Sequence, residues 1–205
     1  MTLAALDDSP CVYLIDDDAS LRESLEDLMH SVGLPVRGFA SVREFLEAGT
    51  GDGPACLVLD VRLPGQSGMD FLRRMDAARR RMPVVMITGH GDIPMSVSAM
   101  KLGAVDFLTK PFRDQDLLDA IHAALEKDRT QRAAMSGAAE VRDRWATLTE
   151  GERAVMDRVV RGMLNKQIAA ELHISEITVK VRRSRVMHKM AVRTLADLVR
   201  AAGRL

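Results

Sequence analysis

Cysteine is scarce in this chain of 205 residues: there are two, Cys11 and Cys56, and each opens an apolar, strand-like run. That placement favours buried thiols over a disulfide, a metal site or a nucleophile. No apolar stretch approaches the roughly 18 residues needed to cross a bilayer, and the N-terminal MTLAALDDSP has neither a basic region nor a long apolar segment. These absences predict a cytoplasmic protein with no membrane partner. Net charge is also missing, because 29 Lys+Arg balance 29 Asp+Glu. The balance is not local. From Thr147 to Leu205 there are 12 basic and 6 acidic residues, a net of +6, which leaves −6 on the rest of the chain. An acidic part and a basic part point to two domains with different partners, the basic one suited to nucleic acid. There is no internal repeat of 20 to 50 residues and no low-complexity tract, so a solenoid is excluded.

What is present is an alternation of short apolar runs with amphipathic stretches. CVYLI reads as a strand, and SLRESLEDLMHSVG as a helix with Leu21, Leu25, Leu28 and Met29 on one face and Gly33 at its end. PVRGF is a second strand, followed by a helix capped by Ser41 with Glu44 at capping-box spacing. ACLVLD, a helix from Gly68 to Arg80, PVVMIT, a GHGDIP loop, a helix ending at Gly103, a short strand in AVDFLTKPF and a helix from Asp114 to about Glu126 complete the series. The expected fold class is α/β: a doubly wound, five-stranded parallel sheet over residues 1–126. Residues 127–145 read as a charged, Ala-rich linker that can continue the fifth helix for a few turns. Beyond it, residues 146–205 show no strand pattern and four helices, Thr149 to Gly162, Asn165 to Leu172, Ser175 to Met190 and Thr194 to Gly203, an all-α second domain.

The stretch CLVLDVRLPGQSG ends a buried strand on Asp60, and the carboxyl edge of an open α/β sheet is where chemistry sits. Alone, Asp60 reads more readily as a solvated residue opening a turn. Its neighbours change that reading. The first strand ends in Asp16, Asp17 and Asp18, and adjacent strand ends would gather several carboxylates, which hard-cation binding by Mg²⁺ or Mn²⁺ would neutralise. Thr88 and Lys110 end the fourth and fifth strands and supply a hydroxyl and an ammonium suited to phosphoryl oxygens. Lys110-Pro111 is a candidate cis peptide. In the second domain, KQIAAEL, a turn at His173-Ile174 and a helix capped by Ser175 with Thr178 at N3 form a helix-turn-helix pattern. Ile168, Ala169, Leu172, Ile174, Val179, Val186 and Met190 are spaced as its core. Lys180, Arg182, Arg183 and Arg185, with Lys189, load the opposite face.

LIDDDAS, CLVLDVRLPGQSG, VVMITGHGDIPMSVSAMKLGA and VDFLTKPF resemble the flavodoxin-like receiver domain of two-component response regulators across residues 10 to 126. The resemblance implies Asp60 as phosphoacceptor, Asp16 and Asp17 as Mg²⁺ residues with Asp60 and the Arg62 backbone carbonyl, Thr88 and Lys110 as phosphoryl-binding residues, and Phe107 as a switch aromatic. Asp18 is then a bystander. Arg62 and His90, each two residues beyond a site residue, are positioned to control how water reaches an acyl phosphate.

LTEGERAVMDRVVRGMLNKQIAAELHISEITVKVRRSRVMHKM is similar to the LuxR-type output domain, so the two halves together resemble a FixJ-like regulator of the NarL/FixJ class. DNA contacts are implied for Lys166, Thr178, Lys180, Arg182, Arg183 and Lys189. We assign Lys166, Arg185 and Lys189 to phosphate and Lys180, Arg182 and Thr178 to base edges. The expected function is a phosphorylation-switched transcription regulator, an activator that takes phosphate from a sensor histidine kinase, dimerises, and binds double-stranded promoter DNA, with RNA polymerase as a further partner. Two rival classes fit less of the sequence. A dehalogenase-type aspartyl phosphatase or phosphotransferase needs a second aspartate two residues after the nucleophile, where this chain has Arg62. An adaptor whose helical module binds protein would lack the salt dependence of DNA binding.

Overall fold

The computed structural model describes residues 9–77, 82–91 and 93–205. They fall into two compact units, one ending at Arg132 and the other Ala133–Leu205.

The first unit is built on five parallel strands: β1 (Cys11–Ile15), β2 (Val36–Phe39), β3 (Ala55–Asp60), β6 (Val84–Thr88) and β7 (Asp106–Thr109). Their order is β2-β1-β3-β6-β7. A small antiparallel hairpin, β4 (Arg62–Leu63) with β5 (Gln66–Ser67), lies in the loop after β3. All six residues of central β3 are buried, as a strand covered on both faces must be. Alternate side chains serve two cores. Ile15, Leu57, Leu59 and Met86 pack with residues of α2 (Val42–Ala48), α3 (Gly68–Ala77) and α4 (Ile93–Lys101). Leu14, Cys56, Val58, Val85 and Ile87 pack with Leu25 and Met29 of α1 (Ala19–Ser31) and with Leu117, Ile121 and Ala124 of α5 (Asp114–Ala146). Burial pushes the Cys56 thiol up to about 12, with Cys11 and Asp128 adding to the shift, and it raises half-buried Cys11 as well. The end of the third expected helix, residues 78–80, lies outside the described residues, as does the N-terminal segment up to residue 8.

Helix α5 (Asp114–Ala146) spans 33 residues and belongs to both units. The stretch 127–145 is therefore helical over its whole length, further than the few turns the sequence suggested. The physical reason is local: alanines of high helix propensity alternate with acid and base groups at helical spacing. Glu126 pairs with Arg129, Asp128 with Arg132, and Glu140 with Arg144. These offset the cost of about 1 kcal/mol that Gly137 imposes on a helix interior.

One of these pairs also ties α5 to the sheet. Asp128 is 3% exposed, and its Oδ2 accepts the Ala55 N–H at 2.8 Å and Arg132 Nε at 2.5 Å. Arg132 Nη1 donates in turn to the Asp52 carbonyl at 2.7 Å. The orphan donor at the start of β3 is satisfied from a helix 73 residues further along the chain.

In the second unit, α6 (Glu150–Val160), α7 (Asn165–Leu172), α8 (Glu176–Lys189) and α9 (Leu195–Ala202) pack around Val155, Ile168, Val179, Val186, Met190 and Leu198. Of the seven core positions read from the sequence, Leu172 and Ile174 are only partly buried. Thr149 and Glu152 form a reciprocal capping box at the start of α6.

Replacing Asp128 by Ala leaves the Ala55 N–H unpaired in a dry environment, so the first unit should lose about 1–3 kcal/mol in urea unfolding. Asp119→Ala, on the exposed side of α5, should change it by less than about 0.5 kcal/mol.

Candidate functional site

The strand register decides which side chains meet. Ile15 is level with Leu59, Asp60 with Ile87, and Thr88 with Thr109, so Asp16, Asp60, Thr88 and Lys110 all emerge at one carboxyl edge. Asp16 and Thr88 are fully buried, and Asp60 is 6% exposed. Lys110 Nζ donates to Asp16 Oδ2 at 2.6 Å and lies 3.5 Å from Asp60 Oδ2. The Lys110-Pro111 peptide is cis, and the Lys110 N–H donates to the Thr88 carbonyl at 2.7 Å.

Asp16, Asp17 and Asp60 present carboxylate oxygens that all lie within 4.8 Å of one another. At an effective dielectric near 20, two such charges repel by about 3–4 kcal/mol. One lysine leaves about two negative charges over, the charge of a divalent cation. Asp60 Oδ1 is buried without a hydrogen-bond partner, which such an ion would satisfy. The residues present therefore fit a hard divalent cation. Burial is the largest influence on Asp60 and holds its carboxyl above the usual value of 3.8. Lys110 opposes that shift, Asp16 adds to it, and the Arg62 backbone N–H lowers it.

Around this centre each neighbour has a geometric reason. Asp18, expected to be a bystander, caps α1: its Oδ1 accepts the Ser20 and Leu21 N–H groups at 3.0 and 3.2 Å, while its own N–H donates to Asp16 Oδ1 at 3.0 Å. The Arg62 side chain is exposed, and so is His90. The Thr88 hydroxyl accepts the His90 N–H at 3.2 Å, which leaves its proton free to donate elsewhere. Phe107 is partly buried against the core. Two glycines were not singled out from the sequence. A Cβ on Gly68 would stand 2.1 Å from the Asp60 carbonyl oxygen, so no side chain fits there. A Cβ on Gly91 would stand 2.9 Å from the Phe107 ring, 2.7 Å from the Thr109 methyl and 3.2 Å from that of Thr88. The glycines of GHGD and QSG were the available signal.

The second unit places the expected DNA contacts unequally. Lys166 on α7 and Lys180 and Arg185 on α8 are exposed. His173 turns the chain with φ 53, and Ser175 caps α8 through the Thr178 N–H at 3.1 Å. The Thr178 and Ser175 hydroxyls are also hydrogen-bonded to each other, 2.9 Å apart. Arg182 is half-buried against α6, its guanidinium 2.7 Å from where a Gly151 Cβ would be. Arg183 donates to Asn165 Oδ1 at 3.2 Å. Lys189, read from the sequence as a phosphate contact, donates to Glu152 Oε2 at 2.7 Å and to the Thr147 carbonyl at 3.0 Å. Glu152 is 3% exposed. Its carboxyl is held below the usual 4.5 by Lys189 first and the Thr149 N–H next, against the opposing effect of burial.

Two titrations follow, with opposite signs. Asp60 has a raised folded value, so its ionisation subtracts stability as pH rises above 3.8. Asp60→Asn should stabilise the first unit by about 1 kcal/mol at pH 7, and the gain should vanish below pH 3.8 in urea titrations across pH. Glu152 has a depressed value, so its contribution is complete above pH 4.5 and lost as pH falls through the folded value. Lys189→Met should cost the second unit on the order of 1–2 kcal/mol at pH 7 and much less near pH 3, followed by fluorescence of Trp145, the sole tryptophan, which stacks on Arg153.

Comparison with known proteins matches a family to each unit. Residues 12–122 match the family described as response regulator receiver domain, and residues 146–202 match bacterial regulatory proteins, luxR family. The chain is 53% identical over 189 residues to Nodulation protein W of Bradyrhizobium diazoefficiens, covering 92% of this chain and 83% of that protein. Response regulator protein TodT of Pseudomonas putida is 45% identical over 199 residues, covering 97% and 88%. Among solved structures, the response regulator StyR matches with a TM-score of 0.86 at 44% identity, covering 96% of this chain and 100% of that one. With a receiver's acidic strand-end pocket in one unit and a helix-turn-helix of the luxR family in the other, this chain belongs to the two-component response regulators that regulate transcription through a LuxR-type DNA-binding domain.

Proposed function

We propose that Asp60 is the phosphoacceptor of a switch that a sensor histidine kinase sets and promoter DNA reads. The observation that carries this is the buried, unpartnered Oδ1 of Asp60 with the Lys110 ammonium 3.5 Å from its other oxygen. An Asp60 carboxylate oxygen attacks the phosphorus of a phosphohistidine. A P–O bond forms, the P–N bond breaks, and the imidazole leaves as it gains a proton. Mg²⁺ or Mn²⁺, held by Asp16, Asp17, Asp60 and the Arg62 backbone carbonyl, supplies charge neutralisation for the transferred group when bound. Lys110, already between two carboxylates, swings toward the phosphoryl oxygens, and the free proton of the Thr88 hydroxyl donates to them. Phe107 then turns into the space that the Thr88 methyl leaves, past the bare Cα of Gly91. Arg62 and His90, both exposed at the rim, set how water reaches the acyl phosphate.

The added charge of about −1.5 to −2 changes the face of α4 and β7. Ile93, Val97 and Met100 form an exposed apolar line at helical spacing on α4, which supports a homodimer of phosphorylated chains through this face. Two copies of α8 then reach half-sites one DNA turn apart in the cytoplasm, with Lys166 and Arg185 on phosphates, Lys180 on a base edge, and Thr178, Arg182 and Arg183 beside them. RNA polymerase is the partner that activation would require.

Selection of bound DNA from a random pool, with and without acetyl phosphate, tests the whole scheme. The wild type should enrich a two-fold symmetric site only with the donor and double its mass by light scattering. Asp60→Asn should do neither, and enrichment by Asp60→Asn equal to wild type would refute the proposal.

A further inference from the structure

We propose that Ile177 determines sequence specificity by packing on the 5-methyl group of a thymine in the major groove. The inference rests on the reading that α8 enters that groove.

Helix α8 buries Val179, Val186 and Met190, and helical spacing puts residues 177, 180, 181, 184 and 188 on the opposite, exposed side. On that side Ile177 is 74% exposed and Val181, one turn on, is 45% exposed. Nothing in the second unit explains an isoleucine there. It packs into no core cluster, and a β-branched residue in a solvent-facing first turn is a poorer helix former than alanine. Its surroundings define its occupant. Lys180 and Arg185 are exposed on the same helix, Lys166 is exposed on α7, and the capped N-terminus of α8 carries the positive end of the helix dipole. An apolar group on a helix that also exposes cations complements a polyanion that displays an apolar point. In the major groove of duplex DNA that point is the thymine methyl.

The other readers expected on α8 are partly engaged. The Thr178 hydroxyl bonds to Ser175, and the Arg182 guanidinium lies against α6. Ile177 and Lys180 are therefore among the side chains most open to a base edge. Lysine recognises guanine acceptors, whereas a branched apolar side chain distinguishes thymine from cytosine through one methyl group.

The test removes that methyl without changing base pairing. Full-length chain treated with acetyl phosphate is titrated, by fluorescence anisotropy, onto its selected operator in which each thymine in turn is replaced by deoxyuridine. In the wild type one symmetric pair of positions should weaken binding roughly three- to tenfold. In Ile177→Ala the same replacement should have no effect, while Lys180→Ala should keep it and lose preference at another base. Ile177 is exposed, so the variant should unfold at the wild-type midpoint. Equal methyl sensitivity in wild type and Ile177→Ala would overturn the proposal, as would no sensitive thymine while Lys180→Ala still alters base preference. If neither variant changes base preference, the groove-entering role of α8 fails together with it.

Discussion

A single ammonium shared by two buried carboxylates is the constraint on which the first unit depends. Lys110 reaches Asp16 and Asp60 because β7 and β1 deliver their ends to the same edge of the sheet, on either side of β3 and β6. The pocket is deliberately incomplete in charge. Its acids outnumber its base, one oxygen has no partner, and the central acid is held above its normal range by burial. Such a site fits a group that brings positive charge to the carboxylates.

Much of this was legible in the chain. Buried parallel strands announce themselves as apolar runs, and the residue after each run falls at the edge, so Asp16, Asp60, Thr88 and Lys110 could be grouped before any coordinates. The helix-turn-helix was equally open, since Ser175 at a cap and His173 in the turn are local signals. What the sequence concealed depends on distant partners. Asp18 is chemically identical to Asp16 and Asp17, and only the start of α1 makes it a cap. Lys189 looks like any other cation of α8 until α6 brings Glu152 beneath it. Gly91 shows its role only when β7 sets Phe107 and Thr109 beside it.

The two units also handle charge differently. In the first, three carboxylates and one ammonium gather at the strand ends, Asp16 and Asp60 buried and Asp17 exposed. In the second, Glu152 and Lys189 neutralise each other next to the core, while the free cations face water. The zero net charge of the whole chain conceals both arrangements, because it sums over parts whose fields act on different molecules. Alanines and ion pairs at helical spacing keep α5 helical, and Asp128 fixes it to the start of the strand that carries Asp60.

Burial pushes the Cys56 thiol up to about 12, which keeps it protonated at neutral pH, and Cys11 is displaced in the same direction. Peroxide and mixed-disulfide chemistry both proceed through the thiolate. Buried Cys56 is therefore poorly disposed to thiolate chemistry with peroxides or disulfides.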